Sequence, residues 1–543
     1  MTTLALVGLV TLGPIAVVIG GGADLAALAG VFTGAESREA LGYSLLLALR
    51  APFAAIIGFA IAWALIRFPI PGARFLEGSF WLAFMLPVLP LTLGWTMLLD
   101  GYDGLVNTWL MRLPLISEPV FDIQSLEGIL WVHMTASTVP VMIILLGPAI
   151  RQLDGSLEEA ARVSGASPRR VLGSITIPLL SSAILTGTIL GFIRGLEAFE
   201  VEQFLGAPAG ISVYTTRVFD LANWQPPRFE EAMALSTVVL VFLAGLALLH
   251  RRIVERNTYA TVLGRGGGSG QLSLGRLGRY AITGALFLTV GLSSLVPTGV
   301  LLLGSFMTLF GFFGIEDPLT LDNWRAIFSD PTFFSALGNS LVIAFGAGFL
   351  GILIYSVLAY LIARSQLSFR GTLDFLTWLP WCIPGILLGL GFLALVLEAP
   401  FLGVLYGSLG LLVIAIVISQ LPLGVSMMKT AIGQIDQELE EAASIAGANR
   451  LRTFAGIVIP LVRPMLVSVF VLVVIAGLRD ISTLVLLAQP RSLPLSVLLF
   501  EYAISGSKEA AAVVGIVITA IVFVAAALAR LLGLEVTTQR VKG

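Results

Sequence analysis

Cysteine and histidine are almost missing from this chain of 543 residues: one Cys, Cys382, and two His, His133 and His250. A lone thiol excludes an internal disulfide framework and a cysteine-rich metal site, and two histidines leave little for metal chemistry. Charge is scarce too, at 12% Asp, Glu, Lys and Arg, with a net charge of −2. Such a chain carries no basic footprint for nucleic acid. The pattern G-x-x-x-x-G-K-[ST] is absent, so no loop of that kind cradles ATP phosphates. Neither a nucleophile elbow nor a metal-ligand cluster occurs. The first twenty residues are apolar but lack a basic n-region, which predicts a membrane helix rather than a cleaved signal.

What remains is oil. Hydrophobic residues make up 57% of the chain, and the mean hydropathy is +0.98. A soluble core cannot hide that much apolar side chain, so the solvent is lipid. Each spanning helix needs about 20 mostly apolar residues. Twelve stretches meet that need: 4–20, 43–66, 79–99, 128–149, 179–198, 232–250, 281–305, 338–363, 373–397, 408–428, 461–487 and 511–533. The fold class expected is therefore all-α and polytopic. With the N-terminus cytoplasmic, 21 Lys and Arg fall in cytoplasmic segments and 7 on the other side, as the positive-inside rule asks.

Two charged stretches interrupt this. Residues 157–170 read LEEAARVSGASPRR, and residues 439–452 read LEEAASIAGANRLR. Glu159-Ala-Ala recurs 282 residues on as Glu441-Ala-Ala, and Gly165/Gly447, Pro178/Pro460 and Pro208/Pro490 keep the same offset. Six spans separate the copies. An even number gives both halves the same orientation, hence two parallel six-helix repeats related by an axis along the membrane normal. The halves expected are residues 1–262 and 281–543, joined by a cytoplasmic linker, 263–280, whose RGGGSGQ stretch at 265–271 is flexible by composition. The charged loops occupy about 150–178 and 430–460.

Each charged stretch reads as a short helix–turn–helix. Asp154 or Ser156 can cap a helix whose first turn carries Glu158 and Glu159, acids that suit the positive dipole end. Ala160 and Ala161 keep one face small. Gly165 supplies the turn at the C-terminus. Ser167 then caps a second helix with Pro168 at its first position, ending near Pro178. In the other copy Asn449 replaces Ser167. One such stretch would pass for a solvated loop. Two at one offset point to a shared docking role.

The sequences EAARVSGASPRRVLGSITIP (159–178) and EAASIAGANRLRTFAGIVIP (441–460) resemble the EAA loop of binding-protein-dependent ABC importer permeases, except that Ile177 and Ile459 stand where Leu is commoner. Two loops in one chain look like the fused permeases that import ferric iron or thiamine. The resemblance implies that each loop seats a coupling helix in a groove of a cytoplasmic ABC ATPase subunit, two copies in all. The residues implied are Glu158, Glu159, Ala160, Ala161 and Gly165, with Glu440, Glu441, Ala442, Ala443 and Gly447. It also implies an extracytoplasmic substrate-binding protein, and ATP with Mg²⁺ on the partner ATPase and no cofactor on this chain. The chain is then a transporter subunit rather than an enzyme, in the bacterial cytoplasmic membrane with both termini cytoplasmic. Ferric iron is the substrate expected first; thiamine, a phosphonate or a polyamine are the alternatives. A secondary active transporter is the rival from another class, and it gives no reason for two charged plugs.

Charges within spans default to functional candidates. Arg194 and Glu197, three apart, share a helix face, so they either line a translocation path or form a local pair. Arg479 falls at the repeat position of Glu197, next to Asp480. Arg50, near the outer end of its span, reads as a snorkelling side chain, and His133 as a satisfied core histidine. Outside, FEVEQF (199–204), Trp224 and Trp324 read either as interface residues or as a docking surface for a binding protein.

Overall fold

A computed structural model describes residues 2–153, 155–256, 275–312, 314–365 and 368–531. Asp154, the RGGGSGQ stretch and the last twelve residues lie outside the described residues. Those described form helices and turns with one isolated bridge, Met307 to Leu319, and no strand among them. Seven helices are long and apolar enough to cross a membrane, and there are up to twelve spans if each bent pair counts as one. The fold is all-α and polytopic, as expected.

The bent pairs are where composition misled. The expected spans 79–99 and 373–397 are broken: Ala73–Met85 meets Val88–Leu99 at 100°, and Arg370–Cys382 meets Gly385–Glu398 at 109°. Pro87 and Pro384 sit at the breaks in extended backbone, with ψ 138° and 141°. Proline biases the residue before it away from helix, and Leu86 and Ile383 are accordingly extended. The expected span 461–487 ends at Arg479 and gives way to turns.

Proline also explains four wide turns. Met134–Thr138, Leu172–Thr176, Gly291–Leu295 and Phe454–Val458 are π-helical, and each runs into a helix with proline in its first turn: Pro140, Pro178, Pro297 and Pro460. Pro has no N–H and its ring presses on the carbonyl four residues back, which lies inside the π segment in every case. The helix absorbs the conflict by widening instead of ending. Pro178 thus continues a helix rather than closing one: Pro168–Leu196 is a single 29-residue span. In the other copy the helix bends by 76° between Arg450–Leu461 and Arg463–Arg479.

Contacts divide the chain into two compact units. One comprises residues 35–214 and 241–323; the other comprises 1–34, 215–240 and 324–543. Each builds the same joint by itself. In the first, a β-carbon on Gly195 would stand 3.0 Å from Ala48 Cα; in the second, one on Gly477 would stand 3.1 Å from Ala344 Cα. Small residues let two apolar helices approach this closely where no hydrophobic driving force exists. Above that joint Ser44 Oγ accepts the Tyr214 N–H at 2.9 Å, and Ser340 Oγ accepts the Leu495 N–H at 2.7 Å.

Candidate functional site

The two charged stretches fold as Gly155–Val163 and Gln437–Ile445. Both stop in the same way. Gly165 has φ +83° and Gly447 φ +84°, a conformation that costs other residues about 1 kcal/mol or more. Ala166 N–H reaches back to Ala161 O at 3.0 Å, and Ala448 N–H to Ala443 O at 2.9 Å, the six-to-one bond of a Schellman turn. Capping follows at once: Ser167 Oγ accepts from Arg170 N–H at 3.4 Å, and Asn449 Oδ1 from Arg452 N–H at 2.8 Å.

A helix turns 100° per residue, so each short helix has two faces. Leu157, Glu159, Ala160 and Val163 are exposed, and so are their counterparts Leu439, Glu441, Ala442 and Ile445. Val163 and Ile445 are 90% and 88% exposed, which no lone helix with a choice would do with a β-branched apolar residue. Ala161 and Ala443 are half-buried at the edge.

The opposite face carries an acid onto an arginine at the end of a span. Glu158 Oε1 accepts from Arg67 Nη2 at 3.1 Å and from Thr176 Oγ1 at 2.7 Å. Glu440 pairs with Arg364 Nε at 2.8 Å and accepts from Tyr360 OH at 2.9 Å. Arg67 and Arg364 are the last residues of the spans Ala35–Arg67 and Pro331–Arg364. Of the ten candidates on these loops, Glu158 and Glu440 therefore face the chain's own spans, while Glu159, Ala160, Glu441 and Ala442 face out. Spacing within the helix carried that signal; the identity of the arginine partners did not show in it. A second pair stands beside each loop: Arg151 with Glu77 at 2.9 Å, and Lys429 with Asp374 at 2.6 Å.

The intramembrane candidates do not repeat so neatly. Glu197 caps the end of its helix and pairs with Arg194 at 2.9 Å. Asp480 accepts from Thr483 N–H at 2.8 Å and Thr483 Oγ1 at 3.1 Å, closing a local turn after Arg479. Arg50 corrects the sequence reading: it is buried, not snorkelling, and Nη1 donates to Leu47 O at 3.0 Å. His133 is a satisfied histidine, 2.8 Å from Glu202 Oε1. That contact also removes FEVEQF as an outer docking surface, since Phe199, Val201, Glu202 and Phe204 are buried. Trp224 is half exposed, with the Arg228 guanidinium 5.9 Å from its ring centroid.

Known proteins are similar in both halves. A ferric transport system permease protein of Actinobacillus pleuropneumoniae is 26% identical over 352 residues, 64% of this chain and 50% of that protein. The chain spans about half the length of this relative and of a putative ferric transport system permease protein of Haemophilus influenzae. A probable ABC transporter permease protein of Sinorhizobium fredii is 29% identical over 485 residues, 86% of this chain and 82% of that one. A putative 2-aminoethylphosphonate transport system permease protein of Salmonella typhimurium is 29% identical over 202 residues, 37% of this chain and 69% of that one. The family model of the binding-protein-dependent transport system inner membrane component matches twice, at residues 54–256 and 356–537. Each match contains one of the charged helices with its glycine turn, and on that ground the chain belongs to the family of binding-protein-dependent transport system inner membrane components.

Proposed function

We propose that the chain is the fused permease subunit of an ATP-driven ABC importer. The observation that carries this reading is the twin outward face, Leu157/Glu159/Ala160/Val163 and Leu439/Glu441/Ala442/Ile445, left uncovered beside the end of a span in each unit. Two such faces in one chain match a dimeric partner with two grooves. In this reading they seat on two copies of a cytoplasmic ABC ATPase, which holds the ATP and Mg²⁺. Closure of the ATPase pair draws the two helices together and switches the cavity between inward and outward access. A binding protein delivers substrate from outside, and both chain termini are cytoplasmic.

Ferric iron is the proposed substrate, supported by the ferric permease relatives. A phosphonate is the second reading, supported by the 2-aminoethylphosphonate relative. We place Arg194, Glu197, Arg479 and Asp480 at the path, with the local pair Arg194–Glu197 as the competing packing role. The test is uptake into proteoliposomes that hold the chain with a candidate ABC ATPase subunit and binding protein. Labelled ferric iron accumulates only with ATP inside. Uptake of 2-aminoethylphosphonate instead reassigns the substrate, and uptake driven by an ion gradient without the ATPase contradicts the importer reading.

A further inference from the structure

We infer that Arg67 and Arg364 are positioning residues that clamp each coupling helix to a span remote in sequence, so that displacement of the helix is passed to that span. The inference rests on the permease reading above. Each short helix is tied covalently only to the span before it and, through a glycine turn, to the helix after it. On those two tethers alone it can pivot, because Gly165 and Gly447 have open space around them and a backbone few residues share. A guanidinium held against the carboxylate resists that pivot, through a charge-assisted hydrogen bond at Glu158 and through an ion pair at Glu440.

The two clamps share a design and differ in their parts. In each, the acid is the residue before the outward Glu, the base is the last residue of a span, and one hydroxyl donates to the carboxylate. Glu158 joins the end of Ala35–Arg67, 91 residues away, and Thr176 within the following span. Glu440 joins the end of Pro331–Arg364 through both Arg364 and Tyr360. Arg364 also donates from Nη2 to the carbonyls of Ile432 and Ile435, fixing the end of the preceding helix Leu421–Gly433. The same three roles, filled by Thr176 in one half and Tyr360 in the other, mark the grip itself as what both halves need.

The experiment has two arms. In the first, nitroxides at Val357 and Ile445, both exposed, report the distance between span and helix in the full chain in nanodiscs with Cys382→Ala. The distribution is narrow with Arg364 present and broad in Arg364→Gln; an unchanged width overturns the inference whether or not an ATPase binds. In the second, Arg364→Gln and Arg67→Gln keep ATPase binding in a pull-down but lose stimulation of ATP hydrolysis by the loaded binding protein, on the order of tenfold. The reversal Arg364→Glu with Glu440→Arg restores part of that stimulation. Full stimulation in both single variants, or ATPase binding lost in step with it, contradicts a positioning role. A wild-type chain that binds no ATPase defeats the permease reading, and the nanodisc arm still decides the clamp.

Discussion

Arg67 is fully buried and Glu158 shows 5% of its side chain, whereas Arg364 and Glu440 show 10% and 15%. The buried Arg67 leaves Nε and Nη1 without an acceptor among the described residues. Arg364 donates from Nη2 to two carbonyls while its Nε forms an ion pair with Glu440 without hydrogen-bond alignment, and Tyr360 donates to the acid. The repeat thus installs one device in two electrical environments. Where water is excluded, Arg67 has Glu158 as its acceptor and the acid has, among the described residues, only the Thr176 hydroxyl besides. Where water reaches, hydroxyl, carbonyl and solvent share the load.

The largest expected effect separates the two. Arg67→Ala leaves a buried carboxylate with no counter-charge and the Thr176 hydroxyl alone, and costs about 3–5 kcal/mol. Arg364→Ala costs about 1–2 kcal/mol, since Tyr360 and water still serve Glu440. Thermal unfolding of both variants in one detergent measures the gap, and equal losses erase the distinction between the halves. Removing both partners sharpens it. Arg67→Met with Glu158→Gln recovers most of the single-variant loss, because the orphaned charge is gone; Arg364→Met with Glu440→Gln recovers little. If the first double variant is no more stable than Arg67→Ala, burial of the unpaired acid is not what Arg67 prevents.

The turns predict the opposite, a symmetric result. Gly165→Ala and Gly447→Ala each cost about 1 kcal/mol from the left-handed backbone alone. Nothing lies near either β-carbon, and the two φ values differ by one degree. Unequal losses in the same unfolding assay would mean that one turn carries contacts the other lacks. Smallest of all in stability are Glu159→Gln and Glu441→Gln, exposed and expected within about ±0.5 kcal/mol of wild type. Under the proposed function their effect falls on ATPase affinity, read by pull-down, and should be of similar size in the two loops.

What the residues revealed follows the range of the forces involved. Apolar stretches and the glycine turns are local or compositional, so the all-α polytopic class, the repeat at 282 and the turns at Gly165 and Gly447 were open to reading. The breaks at Pro87 and Pro384 were present as prolines, but spanning helices tolerate proline and composition does not say which ones break. The clamps were hidden by register. Ser44 and Ser340 stand 296 apart and Arg67 and Arg364 stand 297 apart, so the offset that aligns the loops misses their partners. The burial of Arg50 was hidden too, whereas His133 was legible as a satisfied histidine and only its partner, Glu202, is brought there by folding.

The account stands on two equivalent docking helices, and counting what docks tests it most directly. Native mass spectrometry of the detergent-solubilised chain, co-expressed with a candidate ABC ATPase subunit, gives the stoichiometry. Two ATPase subunits per wild-type chain are predicted, with occupancy falling when either outward face is altered by Val163→Asp or Ile445→Asp. No ATPase, or a stoichiometry unmoved by both substitutions, would contradict the claim.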